Sequence, residues 1–93
     1  MSEEPISVMV LVTGRVQGVS YRAWVQRRAA AGGLSGWVRN EPDGTVAAQI
    51  EGPQQAVDEM LTAMKSGPPL ARVDRLTALP GAVTGAQGFA ITD

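Results

Sequence analysis

Four residues near the middle of the chain, Glu41-Pro42-Asp43-Gly44, restrict its fold more than any other feature. Pro and Gly at these positions set a tight turn. On either side lie short stretches, residues 34–40 and 45–51, that read as strands. In the second, Val46, Ala48 and Ile50 alternate with Ala47, Gln49 and Glu51. Two strands flanking a short turn form an antiparallel hairpin. Each side of the hairpin adjoins a helical stretch. Residues 21–31 contain no Gly or Pro and stop at Gly32-Gly33. Gly52-Pro53 opens a second helix with Pro at a first-turn position. There Val57, Met60, Leu61 and Met64 fall on one apolar stripe, and Gly67-Pro68-Pro69 ends it.

Strands complete the pattern at both ends. Residues 6–13 place Ile6, Val8, Val10 and Val12 on one face and Met9 and Leu11 on the other, which predicts a central strand. A fourth strand is predicted over residues 71–76. Residues 77–88 are small and turn-rich, and Phe89 and Ile91 alternate in a short last strand. The order is β-α-β-β-α-β plus a terminal strand. With right-handed crossovers this builds an α+β, ferredoxin-like sandwich: one mostly antiparallel sheet with two helices on one face. At 93 residues the chain is too short for two ordinary cores, so residues 1–93 are expected to form one domain. That architecture hosts many unrelated activities, so function has to be argued from residues.

Several chemistries are excluded by composition. The chain has no Cys and no His. It offers no disulfide framework, no thiol nucleophile, no zinc site of the common kind and no histidine general base. No paired carboxylates follow glycosidase or metal-site logic, and no metal or cofactor is expected. A net charge of −1 gives no electrostatic footprint for nucleic acid. Trp24 and Trp37 fit packing better than base stacking, because strands one and three lack the aromatics that an RNA-stacking sheet uses. Arg27 and Arg28 fit a solvated helix face. The apolar run at residues 8–12 is too short to span a bilayer. The acidic start, Met1-Ser2-Glu3-Glu4, lacks the features of a signal peptide. The expectation is a cytoplasmic monomer without membrane or nucleic-acid partners.

The first strand joins the first helix through Thr13-Gly14-Arg15-Val16-Gln17-Gly18-Val19-Ser20-Tyr21-Arg22. Its two glycines permit unusual backbone angles, so successive N–H groups can form an anion nest at a helix N-terminus. The Gly-Lys-Ser/Thr ending of a Walker A loop is missing. Arg22 is the informative residue. A cation in a helix's first turn is unfavourable by roughly 0.3–1 kcal/mol, and a bound anion reverses that sign. Two roles fit it: an exposed Arg without a partner, or a bidentate fork for phosphate. Asn40, at the lip of the hairpin turn, also has two: a turn-initiating Asn bonding its own backbone, or an amide that orients a water.

Three stretches, Gly14-Arg15-Val16-Gln17-Gly18-Val19-Ser20-Tyr21-Arg22, Gly36-Trp37-Val38-Arg39-Asn40 and Asp43-Gly44-Thr45-Val46, closely resemble the acylphosphatases. The likeness continues through Gly52 and the Gly67-Pro68 stop and covers the chain from about Val8 to Ile91. The same module resembles the N-terminal domain of hydrogenase-maturation carbamoyltransferases, but a chain this short matches the free-standing form. The resemblance implies hydrolysis of small acyl phosphates to a carboxylate and inorganic phosphate, without metal or cofactor. It implies that Arg22 binds the phosphate, that the backbone of Arg15, Val16, Gln17, Gly18, Val19 and Ser20 completes the cradle, and that Asn40 positions the attacking water. Ser20 and Tyr21 stand where two Phe residues are frequent in the family. Gly32 replaces a common Leu, with an expected stability cost of roughly 0.5–1 kcal/mol plus lost packing. Glu41 replaces a Thr of some relatives and would repel a phosphate if it pointed inward.

Overall fold

The computed structural model describes residues 4–93; the acidic start at Met1, Ser2 and Glu3 lies outside the described residues. The elements are β1 (Pro5–Arg15), α1 (Tyr21–Ala31), β2 (Ser35–Asn40), β3 (Val46–Pro53), α2 (Gln54–Ser66), β4 (Arg72–Gly81) and β5 (Phe89–Ile91). They form a five-stranded sheet in the order β4-β1-β3-β2-β5. β1 runs antiparallel to both β3 and β4, and β2 pairs with β3 as the predicted hairpin. β5 adds to the outer side of β2 in parallel. This is the ferredoxin-like sandwich that the alternation of elements requires.

The core lies between the helices and one face of the sheet. Val10 and Val12 of β1, Val38 of β2 and Val46, Ala48 and Ile50 of β3 point into it. From the helices come Tyr21, Val25 and Ala29 of α1 and Val57, Met60 and Met64 of α2. Both sets follow helical spacing, which puts each on a single face. The Tyr21 hydroxyl, fully buried, donates to the carbonyl of Met64 at 2.9 Å and joins the two helices. Burial pushes the Tyr21 phenol well above its ordinary range, so it remains a donor.

β1 is central as expected, and Met9 and Leu11 on its other face are 40% and 42% exposed, because both helices cover the same side. Three expectations need correction. Pro53 does not enter the first turn of the second helix: its extended backbone, φ −60° and ψ 143°, ends β3 and caps α2, which starts at Gln54. β4 extends to Gly81 rather than ending at Leu76. It is an edge strand bonded only to β1, so Pro80 can sit in it opposite Val8 with its missing N–H on the unpaired side. Gly32 lies one residue beyond α1 with φ −85° and donates its N–H to the Arg28 carbonyl, so it closes the helix without interrupting it.

Residues 82–88 must carry the chain from one edge of the sheet to the other, a span of roughly 19 Å at four strand spacings. They cross the face left open by the helices, held midway by Glu51. Its carboxylate accepts the N–H groups of Thr84 and Gly85, each at 2.9 Å, and the Gln49 amide at 3.2 Å. Gln49 also donates to Ser7 Oγ at 3.1 Å. This strap explains why Ser7, Gln49 and Glu51, on the face away from the helices, are buried.

Candidate active site

β1 bends as it reaches the connection to α1. Its pairing with β4 shifts register between Thr13 and Gly14. Gly14 has φ +123°, and a Cβ there would stand 2.2 Å from the Arg72 carbonyl oxygen, so only glycine fits. Arg15 remains in β1, opposite Arg72. The free loop is therefore residues 16–20. Its two valines are core residues: Val16 and Val19 are 1% and 8% exposed. They anchor the loop to the core, while Gly18 and Ser20 between and after them are exposed.

Ser20 ends the loop in the left-handed region, φ 63° and ψ 23°, the sole described non-glycine residue with positive φ. Its side chain makes no capping hydrogen bond to α1. Among the described residues, the N–H groups of Val16, Gln17, Gly18, Val19 and Ser20 donate to no other protein group. A strained residue at an uncapped helix start leaves donors and a positive dipole end facing outward. Arg22 stands in that first turn.

Gln17 reaches away from the loop. Its amide nitrogen donates to the carbonyls of Glu41 at 2.8 Å and Thr45 at 2.9 Å, on the hairpin turn beside Asn40. The Glu41 carboxylate pairs with Arg39 Nε at 3.0 Å. The charge that would repel a phosphate if it pointed inward is thereby paired with a cation of β2. Asp43 accepts the Thr45 N–H and hydroxyl, closing the turn.

Arg22 and Asn40 meet through a residue that sequence reasoning missed. Asp93 Oδ1 forms an ion pair with Arg22 Nη1, and Asp93 Oδ2 accepts the backbone N–H of Asn40 at 3.3 Å. One carboxylate thus bridges the two. The signal lay in the parallel pairing of β5 with β2. Ile91 is opposite Val38, so Asp93 comes level with Asn40. No reading of the hairpin alone contains that register. Burial raises the Asp93 carboxyl, but the Arg22 hydrogen bond, the Asn40 N–H and the Arg22 charge outweigh it and hold it below the usual carboxylate range.

Asn40 Oδ1 is buried and accepts no hydrogen bond from any described residue. An unmet acceptor costs about 1–3 kcal/mol, so its position invites a donor. Among the described residues no group of three acidic, Cys or His side chains is gathered as metal ligands would be. No described helix is long and apolar enough to cross a membrane.

The description "Acylphosphatase" belongs to the sequence family whose pattern matches residues 8–91. The acylphosphatase of Rhodospirillum rubrum is 49% identical over 83 residues, covering 89% of this chain and 91% of the relative. That of Alcanivorax borkumensis is 56% identical over 72 residues, covering 77% and 78%. The chain belongs to the acylphosphatase family. The crystal structure of the acylphosphatase from Bacillus subtilis superposes with a TM-score of 0.92 at 35% identity, over 95% of this chain and 99% of that one. The family's fold is therefore present from β1 to β5, including α1 and β2, which carry Arg22 and Asn40.

Proposed function

We propose that the chain hydrolyses acyl phosphates to a carboxylate and inorganic phosphate at the junction of residues 16–20, Arg22 and Asn40. The observation that carries this reading is the Asp93 carboxylate bridging the Arg22 guanidinium and the Asn40 N–H. It marks a position where an oxyanion fits both groups. A phosphoryl group entering there exchanges Asp93 for its own oxygens. The Arg22 fork takes oxygens in the plane of the guanidinium, and the loop N–H groups take the others.

The chemistry requires little else. The leaving group is a carboxylate whose conjugate acid has a pKa of about 4, so it departs without a general acid. The transition state spreads charge over the equatorial oxygens, where fixed positive charge and backbone dipoles stabilise it. The attacking water donates a hydrogen bond to Asn40 Oδ1. Its oxygen bonds to phosphorus as the bond from phosphorus to the acyl oxygen breaks, and its proton passes to the phosphate. Neither imidazole nor thiol has a part in these steps, in keeping with a chain that contains neither.

Benzoyl phosphate hydrolysis tests the reading. Arg22→Ala and Arg22→Lys are both expected to lose most activity, since a point charge lacks the fork. Asn40→Ala is expected to lower kcat by on the order of 10²-fold or more while inorganic phosphate still binds. EDTA is expected to leave the rate unchanged. Near-full turnover by Asn40→Ala would overturn the water-positioning role, and chelator sensitivity would overturn the metal-independent step. A monomer acting in the cytoplasm, without nucleic-acid partners, belongs to the same proposal, and size-exclusion chromatography checks its oligomeric state.

A further inference from the structure

The hairpin turn closes itself. Gly44 N–H donates to the Glu41 carbonyl at 3.1 Å, and Glu41 N–H donates to the Thr45 carbonyl at 2.8 Å. Yet the same two carbonyls each accept a second bond, both from Gln17 Nε2. Those bonds add nothing to the turn's own closure. They join it to a loop 24 and 28 residues away in sequence. Both amide hydrogens of Gln17 are used, which fixes the side chain in direction as well as reach. Its neighbours Val16 and Val19 are locked in the core, so the tether starts from a rigid point.

We propose that Gln17 is a positioning residue that sets the distance between the phosphate cradle and Asn40. The inference rests on the proposed roles of Arg22 and Asn40. In that reaction the phosphorus is held by the loop and the water by the hairpin, so the line of attack depends on how two separate elements are spaced. Asn40 is the last residue of β2, where ladder pairing with β3 stops at Val46. Beyond that pair one cross-strand bond remains, from Glu41 N–H to the Thr45 carbonyl, and Gln17 ties this end of the hairpin to the loop. A misplacement of about 1 Å in such an arrangement can lower a rate 10²-fold.

The test is Gln17→Met, nearly equal in length but without donors, assayed with benzoyl phosphate and with inorganic phosphate as inhibitor. Expected is a fall in kcat of about ten- to a hundredfold, with the inhibition constant of phosphate kept within about twofold because the cradle is intact. In an Asn40→Ala background the same substitution should lower kcat by less than about threefold, since Gln17 acts through Asn40. A purely structural role predicts equal losses in both backgrounds, and that result overturns the proposal. So does an unchanged kcat, or phosphate affinity that falls in step with it. Should Gln17→Met fail to fold, Gln17→Glu keeps the length and offers no donor while ionised, and the same measurements apply. Full turnover by Asn40→Ala alone would mean that the water-positioning reading had failed and would remove the basis of this proposal. A loss in Asn40→Ala without one in Gln17→Met would reject Gln17 alone.

Discussion

Asp93 is ionised at neutral pH, and its partners are the groups that a substrate phosphoryl would engage. In the proposed mechanism the carboxylate is therefore a competitor, held at the site by β5. Removing its charge frees Arg22. Asp93→Asn is expected to tighten inhibition by inorganic phosphate by up to about fivefold, the size of an exposed ion pair. Looser inhibition would show instead that Asp93 holds Arg22 in its binding pose. At this scale the site was half legible. Arg22 stood out because a cation is misplaced in a helix's first turn, and Asn40 because of its motif. The strain at Ser20 and the bridge through Asp93 depend on backbone angles and a strand register that no local pattern records.

Among the elements, α1 matches its predicted bounds and α2 its predicted end, where glycines stop both helices, whereas Pro53, read as a first-turn residue of α2, instead ends β3 and caps the helix. β4 was read too short, since Pro80 signals a turn unless the strand is known to lie at an edge. The connection from β1 to α1 was read from its glycines as a turn, and Val16 and Val19 went unassigned to the core because two isolated valines carry no periodicity. Gly32 corrects the expected penalty. Its backbone, φ −85° and ψ 3°, is one alanine adopts. A Cβ there would meet the Arg28 carbonyl oxygen at 3.4 Å, an ordinary contact. Gly32→Ala is therefore expected to stabilise the protein by about 0.4–1 kcal/mol, by reducing the freedom of the unfolded chain. Urea unfolding checks this, and a lowered midpoint would show that the helix end requires glycine. Gly33, at φ +72°, is the residue that supplies the left-handed turn.

For the whole molecule, the layered architecture followed from element order, but the strap over the open face did not. Its anchor is one buried carboxylate. The Thr84 N–H is the main influence that lowers the Glu51 pKa; burial opposes it, and the Gly85 N–H and Thr84 hydroxyl assist. A carboxyl depressed in the folded state contributes stability that is complete above its unfolded value of about 4.3 and is lost as pH falls through its folded value. The protein is thus expected to weaken in that acid range. Glu51→Gln should flatten that part of the pH dependence while lowering stability at neutral pH. Thermal melts from pH 3 to 7 measure it, and an unchanged acid limb in the variant would assign the weakening to other groups.

β4 has a further consequence through its outer side. An exposed strand edge is a template on which another chain can add. β4 carries Pro80, which removes a donor from that edge, and Arg72, Asp74 and Arg75, whose charges resist a close apolar neighbour. At the opposite edge β5 is only three residues long. The proline that obscured the strand in the sequence thus also blunts a surface on which copies of the chain would otherwise stack into aggregates.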